Sequence, residues 1–311
     1  MTLKIIDLCA GTGAFSLAFK ECETVFANDI VKESKTIYDL NHKNKLTLGD
    51  LHLTKTEIIP KHDILTAGFS CQPFSVAGLQ RGFEDDRSDV IWKIMDIIKY
   101  HEPKCVILEN VKNILTHDSG KTFKIIIDNL KQHNYHVKYK LLNTSDYGIP
   151  QHRERIYIIC LKSKDIYDKL SLDFSPIPKK KLSEFLETSV PAKYFYTEDS
   201  AIYPCLLKDI TKKDVIYQYR RYYVRENKSG ECPTLTANMG TGGHNVPIIL
   251  SETRPRKLTP RECFNLQGFP KDFILPNNVA DSHLYKLAGN AVSYPIVKAI
   301  ADRLIPLLNE S

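Results

Sequence analysis

The sequence predicts an α/β protein, a doubly wound and mainly parallel sheet joined to a smaller, irregular domain. Three observations carry this. Strand-like and helix-like segments alternate through the first half of the chain, the pattern of a parallel sheet covered on both faces. A glycine turn, Gly11-Thr12-Gly13, follows the first apolar run, where doubly wound folds bind ligands. After Leu161 the alternation stops and prolines, lysines, tyrosines and a glycine-rich loop take over. At 311 residues the chain suits one large domain plus a smaller one.

The elements follow in order. Residues 4–8 form a short apolar strand, and residues 24–27 a second one. Residues 31–40 read as a helix with Val31, Ile37, Tyr38 and Leu40 as its apolar positions. Residues 63–67 read as a strand, and residues 90–98 as a helix with Val90, Ile91, Ile94, Ile97 and Ile98 on one face. Residues 106–108 are a strand of the buried type. Phe123, Ile126, Ile127 and Leu130 recur at the spacing of an amphipathic helix. Residues 155–161 form a last strong strand. A helical pattern returns near the C-terminus through Val292, Ile296, Val297, Ile300 and Leu304.

Composition removes several classes. With 42% hydrophobic and 26% charged residues, the composition argues against disorder and fibrous architectures. No apolar run approaches the ~18 residues of a membrane span, and the N-terminus lacks a signal-peptide pattern. The expected location is cytoplasmic. The net charge is +6, of which residues 179–228 carry +4, a distribution compatible with a polyanionic partner. None of the eight cysteines forms a C-x-x-C pair, which argues against a zinc site and for free thiols in a reducing compartment. No metal is expected.

Individual motifs then come forward. Asp29 closes the second strand, 22 residues after Asp7, where a carboxylate accepts hydrogen bonds from a ribose. The third glycine of a dinucleotide fingerprint is absent, which together with the Cys-Gln-Pro loop argues against a nicotinamide oxidoreductase. Cys71 stands in GFSCQPFS, just past the end of a strand. An isolated cysteine is usually an apolar filler, but residues 68–88 also lack periodicity, as functional lids do. Glu109 ends another strand in ENV, and QHRER at residues 151–155 precedes the last one.

Taken together, in order, these motifs resemble the cytosine-C5 DNA methyltransferases of bacterial restriction–modification systems. The resemblance runs through residues 7–13, 68–75, 109–111, 151–155, RECFNLQGFP at 261–270 and GNAV at 289–292, nearly the whole chain. It implies a Rossmann-like, S-adenosylmethionine-dependent methyltransferase releasing S-adenosylhomocysteine. Cytosine C5 is too weak a nucleophile to accept a methyl group directly, and a thiolate adding at C6 makes C5 reactive. The resemblance assigns that thiolate to Cys71. It gives Glu109 the N3 and N4 edge of the base, and Arg153 and Arg155 the support of charge development. The cytosine must leave the duplex at a cost of roughly a few kcal/mol.

The resemblance also implies that Asp7, Cys9, Gly11, Gly13, Asp29, Ile30, Asp50, Leu51, Val90 and Asn290 form the cofactor site. Gln72, Ser75, Arg87 and Thr234 would contact double-stranded DNA. Residues 1–179 would form the catalytic and cofactor-binding domain, residues 180–278 the target-recognition domain, and residues 279–311 a segment returning to the first. A monomer is expected, with a cognate restriction endonuclease acting separately. A tRNA cytosine methyltransferase and a non-catalytic DNA-binding relative are the competing readings.

Three positions depart from the family pattern. Cys9 replaces an aromatic residue, at a cost of about 1 kcal/mol of cofactor packing. Asp29 is shorter than the common Glu, and Ser70 replaces a proline that restricts the loop.

Overall fold

A computed structural model of the chain describes residues 2–69 and 90–310. They divide into two compact units. The first is built from residues 1–142, 154–174 and 296–311, and the second from residues 143–153 and 175–295.

The first unit holds a seven-stranded sheet of order β3-β2-β1-β4-β5-β7-β6. Its strands are β1 (Lys4–Leu8), β2 (Glu23–Asp29), β3 (Thr47–Leu48), β4 (Ile64–Gly68), β5 (Cys105–Val111), β6 (His136–Asn143) and β7 (Glu154–Leu161). β1 pairs in parallel with both β2 and β4, and β4 with β5. The chain order reverses between β1 and β4, so the C-terminal ends of these strands flank the crevice of a doubly wound fold. Ile5, Ile6, Leu8, Val106, Ile107 and Leu108 are wholly buried, which is why these strands read as continuous apolar runs.

Among the described residues, residues 1–142 and 154–174 of this unit carry helices α1 (Ala14–Ala18), α2 (Lys32–Asn41), α3 (Val90–His101), α4 (Lys121–Gln132) and α5 (Lys164–Lys169). α3 buries Ile91, Ile94, Met95, Ile97 and Ile98, and α4 buries Ile126, Ile127 and Leu130, in one cluster with the sheet. The mainly parallel α/β expectation is met. β7, however, runs antiparallel to β5, with Glu109 opposite Tyr157 and Val111 opposite Arg155.

The second unit is more regular than expected. A four-stranded antiparallel sheet of order β11-β10-β8-β9 joins two hairpins, β8 (Tyr217–Arg220) with β9 (Tyr223–Glu226) and β10 (Ile248–Ser251) with β11 (Arg254–Lys257). Its core gathers Ile202, Leu206, Ile210, Tyr217 and Ile248, with helix α6 (Tyr203–Asp209) supplying Leu206. Helix α7 (Pro260–Leu266) starts at a capping box of Thr259 and Glu262. Glu262 also takes a buried ion pair from Arg256 at 2.6 Å. Helix α8 (Asp281–Asn290) follows, and α9 (Tyr294–Asn309) leads back, from Ile296 onward, into the first unit.

Candidate active site

The turn after β1 uses its two glycines differently. Cys9, Gly11 and Gly13 all have left-handed backbones, with φ of 51°, 55° and 86°. A Cβ on Gly13 would lie 2.2 Å from His42 Nε2, so the turn is packed shut on that side. A Cβ on Gly11 would meet nothing within 4 Å. The Gly11 face is therefore an open cradle.

Asp29 faces the same turn. Its carboxylate accepts from the Gly11 N–H at 2.8 Å and from the Val31 N–H at 2.8 Å. Burial pushes the Asp29 carboxyl above the ordinary range, and these backbone amides pull it partly back. Ile30 follows with 67% of its surface exposed, an apolar platform beside the carboxylate. The Asn28 amide donates to the carbonyls of Thr47 and Gly49, and the Gly49 N–H donates to the Asp29 carbonyl. These bonds bring Asp50 and buried Leu51 to the end of β2. Val90 opens α3 and packs in part against the sheet core.

Asp7 sits behind the turn, not in the cradle. It is wholly buried and accepts from the Ser16 N–H, the Ser16 hydroxyl at 2.7 Å and the Thr66 hydroxyl at 3.0 Å. Burial pushes its carboxyl up to about 7. Cys9 is pushed up to about 12, first by burial and then by Asp29, Asp7 and Asp50. A thiol in that state is protonated at neutral pH and no nucleophile.

The residues of this cradle fit S-adenosylmethionine. The open Gly11 face has room for a ligand, Asp29 is a hydroxyl acceptor, and Ile30 is a surface for a flat ring. The Thr12 hydroxyl is buried with no hydrogen-bond partner among the described residues.

Glu109 and Arg155 form the second feature of this unit. Arg155 Nε lies 3.3 Å from Glu109 Oε1, and both side chains are largely buried. They meet because β7 runs antiparallel to β5, which brings its first residues to the C-terminal end of β5. Gly68, the last residue of β4, pairs with Glu109. The Asn110 amide donates to the Phe69 carbonyl at 2.9 Å and so ties down the backbone two residues before Cys71. Sequence reading gave Asn110 no role; its place beside Glu109 on the opposite face of the strand was the available signal. Cys71, Gln72, Ser75 and Arg87, with Ser70 and most of the expected lid, lie outside the described residues.

Arg153 is placed otherwise than its neighbour. It is a residue of the second unit, wholly buried, and its guanidinium donates to the carbonyls of Leu235 at 2.9 Å, Gly289 at 3.2 Å and Ala291 at 2.8 Å. Its geometry braces backbone. Gln151 does the same work, donating to the Leu266 carbonyl at 2.6 Å and accepting from the Leu235 N–H at 3.1 Å. Gln267 donates to the Ala288 carbonyl. A Cβ on Gly289 would lie 2.1 Å from the Thr236 backbone, so α8 rests directly on the chain at residues 236–237. Asn290, at the end of α8, is exposed.

The second unit also carries a cleft of about 650 Å³ lined by Gln218, Arg220, Arg225, Thr234, Asn238 and Asn245, among others. The Thr234 hydroxyl donates to the His152 carbonyl at 2.7 Å. Arginines and carboxamides are the groups that bond phosphates and base edges.

Comparison with known proteins agrees with these motifs. The sequence model of the C-5 cytosine-specific DNA methylase family matches residues 3–306. The Type II methyltransferase M.Bsp6I of Bacillus sp. (strain RFL6) is 45% identical over 310 residues, 97% of this chain and 98% of its own length. M.HaeII of Haemophilus aegyptius is 41% identical, covering 98% of this chain and 94% of its own. Among solved structures, the Entamoeba histolytica methyltransferase EhMeth superposes with a TM-score of 0.80 at 20% identity, over 98% of each chain. The S. pombe Dnmt2 methyltransferase gives 0.73 at 21% identity, over 98% of this chain and 99% of its own. At these identities the two structures share the fold. With the family match spanning nearly all of its length, the chain belongs to the C-5 cytosine-specific DNA methylases.

Proposed function

We propose that the protein methylates C5 of a flipped-out cytosine within a specific double-stranded DNA sequence, as the modification half of a restriction–modification system. The observation that supports this best is the buried Glu109–Arg155 pair beside the end of β4, which leads into the segment holding Cys71. Gly11, Gly13, Asp29, Ile30, Asp50 and Leu51 would hold S-adenosylmethionine, which supplies an electrophilic methyl group when bound.

The chain's own residues then do the following. The Cys71 thiolate adds to C6, and the C5–C6 π electrons become available at C5. Glu109 bonds the N3 and N4 edge and stabilises the ring as charge shifts onto it. Arg155 orients Glu109 and supports the base. After methylation, loss of the C5 proton expels Cys71 and restores the aromatic ring. Arg153 holds the second unit in shape. That unit would serve target recognition through its cleft, with Thr234 near the DNA backbone. We place the protein in a bacterial cytosol or nucleoid as a monomer; no described helix is long and apolar enough to cross a membrane.

The test is methyl transfer from labelled S-adenosylmethionine to unmethylated genomic DNA, mapped at cytosine resolution. Label at C5 within one short sequence is expected. Cys71→Ser should abolish turnover with cofactor binding retained, and Glu109→Gln should slow chemistry by roughly 100-fold or more. Normal methylation by Cys71→Ser overturns the mechanism, and label in tRNA alone overturns the substrate.

A further inference from the structure

Two aromatic side chains outside every motif above close the back of the glycine turn. His42 stacks on Tyr38, with ring centroids 4.1 Å apart at 29°. His42 Nε2 lies 3.2 Å from the Thr12 carbonyl, an acceptor only, so this nitrogen carries the proton and donates. The Tyr38 oxygen lies 2.8 Å from Ser16 Oγ. Ser16 gives its single hydroxyl proton to Asp7, so Tyr38 is the donor to Ser16. The chain of bonds runs from Tyr38 through Ser16 to buried Asp7, while His42 grips the turn itself at Thr12. Gly13 has no side chain because these two rings occupy its space, at 2.2 Å and 2.8 Å from where a Cβ would stand.

We propose that Tyr38 and His42 are positioning residues for the methyl donor: they hold the turn from outside in the shape that leaves the Gly11 face open. This rests on the reading of that face as the donor site. The geometry supports action at a distance from the ligand, since both rings lie on the closed side of the turn and the cradle on the open side. Both also come from one short stretch of chain that starts at Asp29. Val31 donates to Asp29, α2 begins one residue later and carries Tyr38, and His42 ends it. One helix thus sets the carboxylate on the ligand side and the brace behind the turn. Sequence periodicity marked Tyr38 only as an apolar helix position.

The measurement is S-adenosylhomocysteine binding by calorimetry to the full chain, alongside steady-state kinetics. Tyr38→Phe removes one hydroxyl, and His42→Phe keeps the stacked ring but removes the donor to Thr12. Each should weaken binding about three- to tenfold, the range of one hydrogen bond. KM for the donor should rise by the same factor, with kcat at saturating donor within about twofold. A residue that only stabilised the fold would leave KM unmoved. Wild-type affinity in both variants overturns the inference. If either fails to fold, His42→Gln, which retains an N–H donor, decides it: affinity near wild type is expected, and a loss as large as that of His42→Ala overturns it. Asp29→Ala separates the two levels. Wild-type binding that survives Asp29→Ala overturns the site itself; binding lost there but unchanged in the Tyr38 and His42 variants overturns only the brace.

Discussion

The turn after β1 and the knot around Arg153 are both built from motif residues, yet their polar groups end differently. At the turn, Gly11 faces open space and Ile30 is exposed beside the Asp29 carboxylate. In the knot, the guanidinium of Arg153 and the carboxamides of Gln151 and Gln267 donate to backbone carbonyls of their own unit. The comparison separates motif residues that leave open space beside them from motif residues that bond backbone. Glycines divide the same way: Gly11 faces open space, while Gly289 makes room for the chain itself.

Arg153→Met has the largest expected effect. It strands buried carbonyls at residues 235, 289 and 291, and should cost on the order of 3–5 kcal/mol by urea denaturation. A loss under about 1 kcal/mol would remove the bracing role.

Asp7 extends the closed pattern into the first unit. The folded chain keeps its proton up to about pH 7, while an unfolded chain releases it near pH ~4. Its contribution to stability is therefore full below about pH 4 and lost as pH rises through about 7, a change of about 4 kcal/mol. Asp7→Asn should flatten this part of the stability profile and raise the melting temperature at pH 8. An unchanged profile would show that another group sets the pH dependence.

Gly289→Ala forces a methyl onto the Thr236 backbone and should cost about 1–3 kcal/mol of stability. Gly11→Ala meets no such obstacle and should cost about 1 kcal/mol through its left-handed backbone alone. Its methyl enters the open cradle, so binding of S-adenosylhomocysteine should fall more than stability does. Equal loss of both in the two variants would erase the distinction between ligand space and packing space.

Much of the first unit was legible because its signals are local. The buried stripe of α4 repeats at the helical period, and a run such as Ile5-Ile6 before a glycine turn marks a parallel strand. The direction of β7 was not legible, since an apolar run reads the same either way; only pairing with β5 decided it and brought Arg155 to Glu109. The second sheet was missed because its strands are four residues each and share no pattern, from Tyr217-Gln218-Tyr219-Arg220 in β8 to Ile248-Ile249-Leu250-Ser251 in β10. Sheet patterns this short gain their meaning from partners elsewhere in the chain.

The α/β class, the order of the motifs and their residue types were readable from local sequence, because periodicity and chemical identity are properties of the residues themselves. Long-range packing gave two near neighbours different partners. Arg153 and Arg155 are two residues apart, but β7 begins between them, so one guanidinium is enclosed by the carbonyls of the second unit and the other meets Glu109 in the first. Side-chain direction and the partners waiting there depend on how distant segments pack, and that information lies outside any local stretch of sequence.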